Sequence, residues 1–572
     1  MLLKNCFKGS TTDLDKVCSP QETVARVGEV LERYGGVLSE NKRIDTGRLG
    51  IPVYMSCCGP KALDLLPGRK QMGKGASPEQ AQASALMELT ERFSFFAFWQ
   101  DGHSCETCTW TEAKARYGDA LIPIEHILDS VGDDLDPDLA ENLLDLLAWR
   151  FAKVWDLALE REVYAPVDWF RLLNEYNGSC AGNTNEEAIL QGLCEVIERH
   201  VCARIDDRTP ELPTIDPDSC TDPTLRALLD TFEANGIRVW LKDFSYGLPA
   251  PTVGALAYDP QTFPESSEIV FTAGTASSPD KAAIRALTEV AQLAGDFQTS
   301  SNYEASGLSK YTSLDECAWL TWGRACSLNS LPDITDENIA HEIRTLARSL
   351  DRQGLRAYAA DMTHPDLTIP AFYTFITGCD FRERTRHPSL GLFVGRRLAE
   401  DTPVEEARPG LQILEALQPE APYVPFFQGL LALREDAPGQ AMTCFAATAG
   451  LQPGREERAL VDFYLGYSAS LINDWETTAT ALDRSLAASR SHAAFNLRGV
   501  AAFKQAQYAE ARKHFEQALA EDSGSAMDIA NVGMCALKLG DRQEAITWLQ
   551  TALELDPGIE FARETLAGLL NT

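Results

Sequence analysis

Three segments of the chain set an acid three residues ahead of a second acid or an amide: Glu88 and Glu91, Glu195 and Glu198, Glu289 and Gln292. Residues three apart share one face of an α-helix, so each pair points one way. Apolar neighbours such as Ala85-Leu86-Met87 and Val196-Ile197 tend to bury these faces. One such segment alone reads as a solvated or ion-paired helix. Three in one chain say more, because carboxylates brought together repel one another unless protons or cations neutralise them. Hard divalent cations serve that purpose. Magnesium takes oxygen ligands, keeps some of its water and completes its shell with substrate phosphate. Arg92, Arg199 and Arg285 stand within these segments and can pair with the carboxylates or reach phosphate oxygens. The pattern therefore predicts a magnesium–nucleotide site that uses no phosphate-binding loop.

Other motifs carry less. Gly68-Arg-Lys-Gln-Met-Gly73-Lys74-Gly75 nearly spells a phosphate loop, but Gly75 stands where Ser or Thr must hold magnesium. The run from Asn177 to Thr184, just ahead of the second acidic segment, could offer backbone N–H groups and the Asn183 amide to an anion. It reads equally well as a helix cap by Thr184 or Asn185. Cys105 and Cys108 form a Cys-x-x-Cys with His103 ahead of it, with no second pair at zinc-finger spacing. His200 points about 100° away from its neighbour Arg199 and reads as structural. Cys57-Cys58 beside a Gly-Pro turn reads as a strand end, and the aromatic run Phe93–Trp99 as core packing behind the first acidic helix.

The elements that must hold these residues fall into two regions. Up to about residue 400, strand-like runs such as Ile51–Met55 and Glu268–Thr272 alternate with helical patterns, predicting a mixed α+β domain. Residues 401–422, acidic and proline-bearing, read as a linker. From 423 to 572 a 34-residue period emerges, with Gly499, Ala511, Phe515 and Ala518 returning as Gly533, Ala545, Leu549 and Ala552. Looser copies begin near Gly429 and Gly466, so about four helical hairpins of the tetratricopeptide type are expected, an all-α repeat domain suited to docking a protein. The chain has 572 residues, 45% of them apolar, and a formal charge of −33, which disfavours nucleic acid and anionic membrane as partners. Without a signal-like start or a long apolar run, a cytoplasmic protein with its 15 cysteines reduced is expected.

Read together, the blocks Gly50-Ile-Pro-Val53, Gly73-Lys-Gly-Ala76, Ser84 through Glu88, Glu91 and Arg92, Ala181-Gly-Asn-Thr184 through Glu195, Glu198 and Arg199, and Arg285 through Glu289 and Gln292 resemble the signature of the YcaO family. With the repeats behind them, the chain looks most like the bacterial YcaO subgroup that carries a C-terminal tetratricopeptide domain. The resemblance implies a YcaO-type ATP-binding domain of mixed sheets packed with helices, using ATP and Mg2+. It implies that Glu88, Glu91, Glu195, Glu198 and Glu289 bind magnesium. Lys16, Thr23, Glu88, Cys180, Asn183, Glu187, Arg199 and Arg285 then fall at nucleotide-binding positions, Cys180 where related members often carry serine.

The implied activity is ATP-dependent activation of a peptide amide through phosphorylation of its oxygen. A proline-rich tail and a leader-binding domain, typical of azoline-forming members, are not expected in a chain that matches from its start and ends Leu-Ala-Gly-Leu-Leu-Asn-Thr. A cyclodehydratase or thioamide-forming role is therefore the alternative. The leading reading is an accessory to β-methylthiolation of a ribosomal protein. Expected partners are a protein or peptide substrate, a radical-SAM methylthiotransferase or sulfur-delivery protein, and a second copy of the chain. An ATP-binding adaptor that docks a partner enzyme through its repeats is the non-catalytic reading.

Overall fold

Each acidic segment folds as a long helix whose capping hydroxyl stands eleven residues before its first acid. Ser77 caps Pro78–Asp101 by accepting from the Gln80 N–H, and Ser278 caps Pro279–Ala294 by accepting from the Lys281 N–H. Thr184 Oγ1 accepts from the Glu187 N–H at 3.2 Å at the start of Asn185–Arg208. Such a cap satisfies an otherwise orphaned N–H and fixes where the helix begins. It thereby also fixes the rotation at which Glu88, Glu195 and Glu289 emerge.

The computed structural model describes residues 3–9, 15–45, 47–102, 104–208, 211–298, 303, 307–381, 387–448 and 450–570. The chain divides into two compact units, Met1–Glu141 with Ala148–Thr385, and Asn142–Leu147 with Arg386–Thr572.

The first unit is built on three sheets. Leu38–Arg43, Val53–Cys58 and Lys70–Lys74 form an antiparallel meander. A five-stranded sheet runs in the order Val270–Thr275, Thr252–Tyr258, Arg238–Asp243, Thr214–Ile215, Ala325–Cys326. The third runs Glu106–Cys108, Trp149–Asp156, Ala357–Asp361, Ala371–Ile376, Ser179–Ala181, with Arg161–Pro166 also paired to Trp149–Asp156. The strands expected at Ile51 and Glu268 start two residues later, at Val53 and Val270. Pro52 has no N–H to give a sheet ladder, which accounts for the first shift.

Two acidic helices are pressed onto the strand that precedes them. A Cβ on Gly73 would lie 2.0 Å from Ala85 N, and one on Gly274 would lie 2.4 Å from Ala282 O. Glycine alone permits so close a crossing. The third helix closes a core of Leu225, Phe232, Val253, Val270, Leu287 and Val290, while Leu86, Leu89 and Phe93 of the first meet Val27 and Leu31 of helix Pro20–Tyr34. Phe93, Phe95 and Trp99 are buried, as the aromatic run requires. Cys58, at the end of its strand, is in the same core as Phe93. All fifteen cysteines are free thiols.

The second unit corrects the expected organisation. Residues 401–422 are not a linker: Val404–Leu417 is a helix that pairs with Leu390–Glu400. Gly395, Ala407, Leu411 and Leu414 repeat the spacing of Gly429, Ala441, Phe445 and Thr448 in the next hairpin, Tyr423–Arg434 with Pro438–Thr448. Among the described residues there are thus five hairpins rather than four. The others are Arg455–Leu471 with Trp475–Ala488, His492–Lys504 with Tyr508–Glu521, and Ala526–Leu539 with Arg542–Leu555, followed by helix Glu560–Leu570. Pro409 disguised the first copy. It lies inside the helix, where burial of Ala407, Leu411 and Leu414 offsets its missing backbone hydrogen bond. At each hairpin a glycine lets the paired helix approach: added Cβ atoms on Gly429 and Gly499 would meet Phe445 and Phe515 at 2.7 Å.

Candidate functional site

The acidic faces of the three helices open onto one cavity of ≈ 630 Å³ in the first unit. Glu88 and Glu91 reach it from the first helix, Glu187, Glu195, Glu198 and Arg199 from the second, and Arg285 and Glu289 from the third. Lys16 and Thr23 enter from the N-terminal segment, and Cys180 and Asn183 from strand Ser179–Ala181 and the turn after it. All twelve residues singled out from the sequence and its resemblance line this cavity.

The three helices are held apart by the cavity they line. Among the described residues each lies against sheet, and the cavity stands between them. Close packing would have left the carboxylates in mutual contact in a dry interior, where like charges are most costly. Instead bases are interleaved with them. Arg92 pairs with Glu91 at 3.2 Å, Arg199 with Glu195 at 4.0 Å, and Lys74 with Glu289. Arg285 donates to the Thr275 carbonyl at 3.1 Å and to Gln191 Oε1.

Neutral donors hold the acids in place. Ser179 Oγ donates to Glu91 Oε1 at 3.0 Å, Gly178 N to Glu195 Oε2 at 3.3 Å, and Thr275 N to Glu198 Oε2 at 2.9 Å. Cys180 Sγ lies 3.6 Å from Glu195 Oε2. At the start of the second helix, Asn183 N and Nδ2 donate to Glu187 Oε2 at 2.8 and 2.9 Å, and Val17 N donates to Glu187 Oε1 at 2.6 Å.

Even so, the walls hold more acids than bases, eight carboxyl groups against six ammonium and guanidinium groups. Burial pushes Glu91 up to about 8 against the pull of Arg92, with the charges of Glu195 and Glu88 adding to the rise. Burial likewise raises Glu88 and Glu198, each also facing the charge of Glu195. The same burial lowers Lys74 to about 8, opposed by the fields of Glu198 and Glu88. Burial drives the Cys180 thiol well above its ordinary value, so it stands as a neutral donor.

This donor set fits magnesium. The ligand type is all-oxygen, and the excess of acids over bases is of the sign a cation relieves. Among the described residues no three His, Cys, Asp or Glu side chains converge as a closed cage.

Several residues stand differently from their sequence reading. The Gly68–Gly75 stretch is no phosphate loop, since Lys70–Lys74 is a strand paired with Val53–Cys57. Lys74 nonetheless projects into the cavity, and its place next to two glycines at a strand end was the signal for it. Gln191 was likewise missed; it lies one helical turn ahead of Glu195, on the same face. The Asn177–Thr184 run does not offer the Asn183 N–H to an anion, because Glu187 takes it, and Thr184 serves as the cap. Cys108 is buried at the end of strand Glu106–Cys108, and burial pushes Cys105 up to about 11; neither lines the cavity, and His103 lies outside the described residues. His200 accepts the Asp380 N–H at 2.8 Å, away from the cavity walls.

Fold and site together define a nucleotide- and metal-binding α+β domain joined to an array of helical hairpins. The family described as YcaO cyclodehydratase, ATP- and Mg2+-binding, matches residues 72–380, and the tetratricopeptide repeat matches residues 502–564. The chain belongs to the YcaO family. It is 28% identical over 387 residues to an uncharacterized protein of Methanothermobacter thermautotrophicus, covering 63% of this chain and 94% of that one. It is 27% identical over 325 residues to the Escherichia coli ribosomal protein S12 methylthiotransferase accessory factor YcaO, covering 51% of this chain and 54% of that protein. A solved heterocyclase in complex with substrate and cofactor shares the fold, with a TM-score of 0.54 at 22% identity, over 67% of this chain and 54% of that one. Among the described residues no helix is long and apolar enough to cross a membrane.

Proposed function

We propose that this chain is an ATP- and magnesium-dependent enzyme that activates an amide by phosphoryl transfer to its oxygen, as an accessory to methylthiolation of a ribosomal protein. The observation that carries this reading is the convergence of Glu88, Glu91, Glu195, Glu198 and Glu289 with Arg199, Arg285 and Lys74 on one cavity. An amide oxygen is a poor leaving group. A nucleophile adds to the amide carbon, the oxygen so charged attacks the γ-phosphorus, and the bond to ADP breaks. Phosphate then departs with that oxygen, and the nucleophile loses its proton. The five glutamates would hold magnesium, which when bound neutralises charge on the transferring phosphoryl. Arg199, Arg285 and Lys16 supply fixed positive charge for the phosphates, and Thr23, Asn183 and Glu187 supply directional polar groups for the rest of the nucleotide.

The accessory role is supported by the name of the E. coli relative, a ribosomal protein S12 methylthiotransferase accessory factor, of which this chain spans about half. The five-hairpin array favours a second reading, an adaptor that binds ATP as a structural ligand and docks a partner such as a radical-SAM enzyme, a sulfur carrier or a second copy. Turnover separates the two. Purified protein incubated with ATP and magnesium is expected to release ADP and phosphate slowly, without AMP, and Glu195→Gln is expected to abolish that release. Binding without turnover, with peptide and partner supplied, would instead establish the adaptor.

A further inference from the structure

Arg26 is not among the walls of the cavity, yet the structure ties it to a residue that is, Asn183. Its Nη2 donates to Asn183 Oδ1 at 2.7 Å. Thr23, on the same face of helix Pro20–Tyr34, lies at 3.1 Å from the same oxygen, and its hydroxyl lies equally at 3.1 Å from the Ser19 carbonyl. A hydroxyl has one hydrogen to give and can also accept, so Thr23 tolerates either end of the Asn183 amide. A guanidinium only donates. Arg26, which only donates, and the Glu187 carboxylate, which only accepts, therefore together fix Oδ1 toward the helix and Nδ2 toward Glu187.

The consequence runs across the cavity rim. With that orientation, Asn183 Nδ2 and N both bind Glu187 Oε2, and Glu187 Oε1 is left to accept from Val17 N, the residue after Lys16. Reversing the amide would set Oδ1 against the Glu187 carboxylate, two acceptors facing each other, and would loosen the grip on the segment that carries Lys16. Among the described residues no carboxylate pairs with Arg26, and its Nε is buried without a hydrogen-bond partner. The guanidinium is thus spent on the amide and not on an ion pair.

We infer that Arg26 is a positioning residue for the nucleotide: together with Glu187 it holds the Asn183 amide in one direction, and through that amide the Glu187 carboxylate and the segment that carries Lys16. This rests on the cavity being an ATP site. The test is magnesium–ATP affinity, by titration calorimetry on the full chain, for Arg26→Met, Arg26→Lys, Asn183→Ala and the double variant Arg26→Met with Asn183→Ala. Arg26→Met is expected to weaken ATP binding about tenfold, the scale of one lost charged hydrogen bond, with turnover at saturating ATP within about twofold. Arg26→Lys, which keeps a donor, is expected to recover most of the affinity. In the Asn183→Ala background, Arg26→Met should add almost nothing, because the group it orients is gone.

Unchanged affinity in Arg26→Met overturns the inference, as does an equal loss in both backgrounds, which would mean that Arg26 acts on the nucleotide or on stability by another route. If Arg26→Met does not fold, Arg26→Gln carries the same comparison, since its amide can accept as well as donate. Failure of the wild type to bind ATP would refute the nucleotide site itself, whereas wild-type binding with an indifferent Arg26 refutes this assignment alone.

Discussion

Lys74, the last residue of its strand in the three-stranded sheet, pairs with Glu289 of the third acidic helix. The fields of Glu198 and Glu88 also act on it, so this one ammonium answers acids from all three helices. Lys74→Met should therefore destabilise the protein in chelator by about 1–2 kcal/mol, between the values for an exposed and a fully buried ion pair because both groups retain some exposure to the cavity. Magnesium should raise the melting temperature of the variant more than that of the wild type, since the cation replaces a lost one. An equal magnesium response in the two proteins would show that Lys74 does not share the acids' neutralisation.

The raised Glu91 carboxyl gives a pH dependence of definite sign. Its folded value of about 8 lies above the ordinary carboxyl value of 4.5, because burial penalises its charge. The folded state holds this proton more tightly than the unfolded chain between those values. The stability it contributes is complete below 4.5 and is lost as pH rises through about 8. In chelator, the melting temperature should fall between pH 5 and pH 8, and Glu91→Gln, which stays neutral, should flatten that fall. A wild-type melting temperature that rises across this window, or an equal slope in Glu91→Gln, would contradict the assignment.

Cys180 is buried, and its thiol stands 3.6 Å from Glu195 Oε2. A thiol held well above its ordinary pKa by burial is a poor nucleophile. Iodoacetamide at neutral pH should label Cys180 much more slowly than a free thiol, as read by peptide mass spectrometry. Cys180→Ser, which keeps a donor to Glu195, should bind magnesium–ATP within about threefold of wild type, a loss below 1 kcal/mol. Rapid labelling, or loss of binding in the serine variant, would mark the sulfur itself as required.

The first hairpin can be tested at Gly395. A Cβ there would lie 2.7 Å from Phe427 Cδ2 and 2.8 Å from Leu414 Cδ2. Gly395→Val should lower the stability of the helical unit by about 1–3 kcal/mol, as overpacking does elsewhere, measured by denaturant unfolding. A residue entering a flexible linker would tolerate valine without effect.

The local rules of the sequence reached some parts of this molecule and not others. Glu88 with Glu91 and Glu195 with Glu198 were legible because a helical face follows from spacing alone. Arg26 was not, since on an amphipathic helix an arginine looks like solvent-facing polarity until the turn at Gly182 brings Asn183 to it. Lys74 was hidden by resemblance to the wrong motif, and its role depends on a strand pairing that carries it to a helix two hundred residues on. The first hairpin kept the repeat spacing from Gly395 to Leu414, but Pro409 and the acidic residues around it pointed to a break. The arrangement of the three helices around a cavity, instead of against one another, follows from charge and sheet packing acting together, which no single segment encodes.

The magnesium-dependent nucleotide site proposed for these carboxylates is open to direct test. The most direct measurement is ATP binding to the full chain by titration calorimetry, with magnesium and with chelator, for the wild type beside Glu195→Gln and Glu198→Gln. The wild type is expected to bind ATP only with magnesium, and each variant, with an amide in place of the carboxyl, to lose that dependence together with most of its affinity. Equal ATP binding by all three proteins with or without magnesium, or no binding by any of them, would contradict the proposed site.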